Sequence, residues 1–212
     1  MTALVYQHAF DARRRLAELG IAPEAISAAL RAGWTARLSC TDNDPPFIPG
    51  TEAWRFVVRT LREELLPKGW RKSDPGNYSL ISNDARKINV VVATGDSLTR
   101  IYPGTPKTKS LKGLYTEGAI VRNMYQDDLF PETIAEELRV VAAILGHPVW
   151  ILLIHITDDE CRAELSLPSE MDGTVTEWAE RIFIPDDEGG DLAIKSDDDL
   201  GLDFDVPVKR KA

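Results

Sequence analysis

Apolar residues recur at helical spacing through the first third of the chain. Val5, Ala9, Ala12, Leu16 and Leu19 follow at steps of four and three, a single stripe on a helix over residues 3–19 that Gly20 ends. Pro23 suits the first turn of a second helix with Ile26, Ala29 and Leu30 on its inner face. The run from Asp42 to Gly50 (D-N-D-P-P-F-I-P-G) breaks regular structure. Thr51 then caps a third helix, with Glu52 at its positive end and Trp54, Val57, Val58, Leu61 and Leu65 on its buried side, and Pro67 and Gly69 stop it.

From Tyr78 the period becomes that of strands. Tyr78–Ser82 and Ile88–Ala93, joined by a turn at Asn83–Lys87, predict a hairpin whose second arm is apolar enough to be central. Gly95-Asp96 closes it, and residues 97–112 lack any period, which predicts a long loop of the functional or mobile sort. Pro131, Ile134, Leu138, Val141 and Leu145 predict a helix capped by Gly146. Trp150–Ile156 and Cys161–Leu167, around Asp158-Asp159-Glu160, predict a second hairpin. Thr174 and Glu177 offer a capping box for one helical turn, and Arg181–Ile184 reads as a last edge strand. The expected class is α+β: a mainly antiparallel sheet built from two hairpins, covered by helices, with an N-terminal helical segment. Residues 1–185 form one domain, of which 1–50 can be set apart as a helical subdomain, and 186–212 form an acidic, flexible tail.

Composition adds exclusions. No apolar run among the 212 residues approaches the roughly 20 needed to span a bilayer, and the N-terminus lacks the apolar block of a signal peptide, so a cytoplasmic protein is expected. Cys40 and Cys161 stand far apart without a C-x-x-C, and no spacing predicts a disulfide framework, a zinc site or any cofactor. His155 and Cys161 flank a turn, but His155 alternates within an apolar strand as a core residue does. The five tryptophans read as core or interface anchors.

The net charge of −9 conceals strong segregation: residues 1–54 carry −1, 55–122 carry +7, 123–185 carry −10 and 186–212 carry −5. Within the basic segment the stretch from Gly104 to Gly113 interleaves Lys107, Lys109 and Lys112 with hydroxyls and backbone N–H groups, a composition suited to phosphate oxygens. It lacks the G-x-x-x-x-G-K-[ST] spacing of a Walker loop. Arg86, Lys87, Arg100 and Arg122 extend the candidate patch, and Tyr102 and Tyr115 are its stacking groups. Asp96, at a strand end, and Glu164 are the only carboxylates placed for a metal-dependent phosphodiesterase, without the lysine such a site needs beside Glu164. In the tail, Asp197, Asp198 and Asp199 precede Leu202 and Phe204, an acidic-apolar mixture able to dock on a basic partner or on the chain's own +7 segment.

Six segments, D-P-P-F-I-P-G-T-E-A-W (44–54), L-R-E-E-L-L-P-K-G-W (61–70), N-Y-S-L-I-S-N (77–83), V-V-V-A-T-G-D (90–96), P-K-T-K-S-L-K-G (106–113) and A-E-L-S-L-P (163–168), together resemble a family of bacterial proteins of unassigned activity, often associated with phage, plasmid or integrated mobile elements. The resemblance spans roughly residues 30–184 and leaves out the tail. It implies a bacterial cytoplasm and an accessory, regulatory or anti-defence role, and it assigns no site residue. Two function classes follow. The first is a non-enzymatic accessory protein that binds nucleic acid or a host nucleoprotein complex through residues 86–122. The second is an acidic inhibitor that captures a basic host protein through residues 123–205 by imitating a polyanion. The phosphodiesterase reading stands third.

Overall fold

The computed structural model describes residues 3–125 and 130–186. Their seven strands are β1 (Leu4–Tyr6), β2 (Arg71–Ser73), β3 (Leu80–Asn83), β4 (Ile88–Thr94), β5 (Val149–Ile156), β6 (Cys161–Asp172) and β7 (Thr174–Phe183). They form one sheet in the order β1-β7-β6-β5-β4-β3-β2. Period-2 alternation divides the strands between two cores. Val90, Val92, Trp150, Leu152 and Ile154 pack under α1 (Ala9–Glu18), α2 (Pro23–Leu38) and α3 (Ile48–Leu65). Val91, Ala93, Ile151 and Leu153 face α4 (Leu114–Met124) and α5 (Glu136–Leu145). The result is an α+β domain in three layers.

Both predicted hairpins are present, as β3-β4 and β5-β6, but the sheet that joins them is mixed. The β4–β5 and β1–β7 pairings are parallel, and the other four are antiparallel. A parallel β4–β5 pair requires a crossover, which α4 and α5 supply. Other elements depart from the expected pattern for local reasons. Val5, read as helical, lies in β1 beside Arg181 of β7. Arg71–Ser73 adds an exposed edge strand whose basic residues discourage further pairing. The third helix starts at Ile48-Pro49, and the Thr51 hydroxyl donates back to Phe47 O at 3.0 Å rather than capping. Residues 174–183 are one long strand: after Gly173, at φ +65°, the chain reverses directly from β6 into β7. The last helix begins at Glu136, five residues beyond Pro131.

Glycine sets the spacing of the α2–α3 pair. A Cβ on Gly33 would lie 2.5 Å from Val57 Cγ2 and 2.8 Å from Ala53 O. The obstructing carbonyl belongs to a helix backbone and cannot rotate aside, so Gly33→Ala is expected to cost about 1–3 kcal/mol through overpacking. A denaturant midpoint equal to that of the parent would show that the two helices part without penalty.

Candidate functional site

The stretch from Ser97 to Lys112, which the sequence predicts to be a long loop of the functional or mobile sort, is clamped. Asp96 N–H donates to Lys107 O at 3.0 Å, Lys109 N–H to Thr94 O at 2.8 Å and Lys112 N–H to Gly173 O at 2.7 Å. Thr108, 2% exposed, gives its N–H to Val175 O and accepts Val175 N–H on its hydroxyl, while the Trp178 indole donates to Pro106 O at 2.8 Å. The loop's backbone thus finishes the sheet, while Lys107 and Lys109 stay exposed and Lys112 is half-buried. The sequence signal for this order, alternating hydroxyls and lysines, is indistinguishable from that of a solvated loop, because the clamp uses mostly main-chain groups.

Between the short β3 and the clamp lies a gap in the sheet. Asn89 and Gly95 donate their N–H groups to Pro148 O and Ile154 O beside β5. The alternate residues Val90, Val92 and Thr94 therefore direct theirs to the opposite side, where β3 lies. The β3 ladder ends at Ile81–Val90, and residues 107–109 resume pairing only at Thr94–Asp96. Between them opens a cavity of about 930 Å³ floored by Val91–Thr94. On one side stand Phe47, Thr51 and Trp54 of the α3 end, the Trp54 indole donating to Val92 O at 3.0 Å. On the other are Tyr78, Tyr115 and the unsupported N-cap Gly113 of α4. Tyr78 and Tyr115 stack with centroids 5.7 Å apart, and Gly76, at φ +54°, is required because a Cβ there would strike the Tyr115 ring. Burial pushes the Tyr78 phenol up to about 12, so it stays neutral at working pH.

Electrostatics give the cavity its character. Lys109, Lys112 and Arg37 line it, and among the described residues no Asp or Glu does. Arg37 is paired with Asp158 at 2.9 Å, which leaves the two lysines as its uncompensated cations among the described residues. Lys112 is half-buried, and burial pulls its pKa below the usual lysine value. An ammonium group desolvated without a carboxylate beside it is a position that an incoming anion stabilises.

The seven basic residues singled out in sequence do not form one patch. Lys109 and Lys112 reach the cavity, with Lys107 in the same clamped segment. Arg86 and Lys87 sit in the turn before β4, roughly 20 Å away along the strand, where Arg86 packs on Gly20 and donates to Glu18 O. Arg100 is held by Asp186 in a two-bond pair at 2.7 and 2.8 Å, and Arg122, 5% exposed, is buried near the end of α4. Tyr115 belongs to the cavity, whereas Tyr102 lies against a separate recess with Trp178 and Arg181. Phe47, Trp54 and Tyr78 carry no sequence signal that marks them as site residues. Only the loss of pattern at 42–50 pointed near Phe47, and Trp54 read as core.

Both candidate carboxylates are consumed structurally. Asp96 accepts the N–H groups of Leu98 and Lys107 at 3.0 and 3.1 Å, a turn aspartate. Glu164, fully buried, accepts Arg181 Nε and Nη2 at 2.9 and 2.7 Å, the Ser166 hydroxyl at 2.7 Å and Arg100 N–H at 2.7 Å. His155 Nε2 lies 3.0 Å from Glu160 Oε1. Among the described residues no group of three His, Cys, Asp or Glu side chains converges in metal-binding geometry. Also among them, no helix is long and apolar enough to cross a membrane. Asp197, Asp198, Asp199, Leu202 and Phe204 lie outside the described residues. No family model, curated protein or solved structure matches the chain.

Proposed function

We propose that the protein is a non-enzymatic nucleic-acid-binding accessory protein that holds a phosphate-bearing strand in the cavity between the start of α3 and residues 109–116. One observation carries this reading: in a chain of net charge −9, the large recess is lined by Lys109, Lys112 and Arg37, by aromatic side chains and, among the described residues, by no carboxylate. The binding surface is narrower than the basic segment 86–122, because of its basic residues only Lys109 and Lys112 reach the recess. An accessory role in a mobile element, alone or on a host nucleoprotein complex, belongs to the same proposal and rests on the sequence resemblance.

The test is titration of a labelled oligonucleotide by fluorescence anisotropy across a salt series. Binding should weaken steeply with salt, and changing Lys107, Lys109 and Lys112 together to alanine should lower the slope of log K against log salt by about 2 for a single strand. The melting temperature should hardly move, since the clamp uses main-chain groups and the ammonium groups pair with no described carboxylate. An unchanged slope removes the lysines from the reading. A second reading, capture of a basic host protein, draws on α5, which opens with Glu136 and Glu137 and leaves Val140 and Ile144 exposed one turn apart. It is favoured if nucleic acid fails to bind at any salt.

A further inference from the structure

We infer that the gap in the sheet seats an unpaired keto base, thymine, uracil or guanine, of a single strand, read by the backbone of Val92 and Thr94. The inference rests on the nucleic-acid reading and adds strand state and base selectivity to it. Three observations carry it. First, the aromatic groups lie in a recess rather than on a convex surface. Phe47 is 68% exposed at its rim, with Trp54 and Tyr115 along its walls. A base can stack on them only with its π-face free, which the stacking within a duplex denies. Second, Lys112 is set back and half-buried, at a depth that suits a flexible single strand entering the recess rather than the convex backbone of a duplex.

Third, the free hydrogen-bonding capacity of the floor is weighted toward donors, since each of its carbonyls already accepts one bond. Val92 O already accepts the Trp54 indole and Thr94 O accepts Lys109 N–H, whereas the Val92 N–H points into the gap left by β3 and the Thr94 N–H to its edge, where Lys109 resumes the pairing. Such a floor satisfies itself against a carbonyl oxygen and leaves an amino group facing N–H donors. Thymine presents O4 and guanine O6 on the edges where adenine presents N6–H₂. Discrimination then comes from a polar group left unpaired in the wrong complex, which separates ligands more strongly than shape does.

The experiment compares labelled oligothymidylate, oligoadenylate and a duplex of equal length on the full chain. Oligothymidylate should bind about tenfold or more tighter than either competitor. Trp54→Phe removes the indole N–H and frees Val92 O as an acceptor, so it should narrow the thymine-to-adenine ratio while leaving the salt slope unchanged. Phe47→Ala, at an exposed position where folding is not at stake, should weaken single-strand binding and leave the duplex affinity as it was. A thymine-to-adenine ratio that Trp54→Phe does not move would assign the preference to strand flexibility and overturn the inference. Equal, salt-dependent affinities for all three probes would likewise overturn it while leaving the nucleic-acid reading intact. Failure of every probe to bind would reject both.

Discussion

Replacing Glu164 by alanine is expected to lower the melting temperature by on the order of 10 °C, an effect of about 3–5 kcal/mol on a domain of this size. The carboxylate is fully buried and Arg181 is 2% exposed, so removing the acid leaves an unneutralised guanidinium inside the protein. The loss extends beyond the pair, because Glu164 also accepts Arg100 N–H and the Ser166 hydroxyl, and Arg181 Nη1 donates to Gly104 O at 2.6 Å. These bonds tie residues 100–104 to β6 and β7, so amide exchange at Arg100 should accelerate in the same variant. Replacing both partners, as Glu164→Leu with Arg181→Met, should recover part of the stability because no lone charge remains. It should not restore protection at Arg100, whose acceptor is gone. A double variant no more stable than either single one would mean that the network, rather than the stranded charge, dominates.

What the sequence discloses here depends on whether a signal is local. Helices α2, α3 and α5 and the two hairpins were legible from apolar period, proline and turn residues. Helix α4 was not: its eleven residues include Gly118, a poor helix former. The glycine is explained only by the fold, since a Cβ there would strike the Val141 side chain of α5. The β4–β5 and β1–β7 parallel pairings join segments that are distant in sequence, and no residue pattern encodes them. The lysines of 107–112 were legible as candidates, yet their separation from Arg86 and Lys87 is a property of strand direction. Neighbours in sequence on either side of β4 emerge at its opposite ends. Phe47, Trp54 and Tyr78 meet Lys112 only because β3 is shorter than β4, a difference in strand length that polar and apolar residues near Leu80 do not announce.

That geometry makes the sharpest functional prediction a comparison between the two ends of one strand. Reversing charge at Lys109 and Lys112, both to glutamate, should weaken oligonucleotide binding by more than about a hundredfold. Two hydrogen bonds to charged groups are lost, each worth about 1.5–3 kcal/mol, and repulsion replaces them. Reversing Arg86 and Lys87 changes the net charge by the same amount at the far end of β4, where Arg86 packs on Gly20 and donates to Glu18 O. If binding follows the recess, that second variant should lose only the small share that overall charge contributes and that salt screens away, and the two should differ most at low salt. Both variants should keep the parent's far-ultraviolet dichroism, because neither pair of side chains belongs to the core. Equal losses from the two reversals would show that nucleic acid answers to net charge alone, and the recess between α3 and α4 would then have no part in holding it.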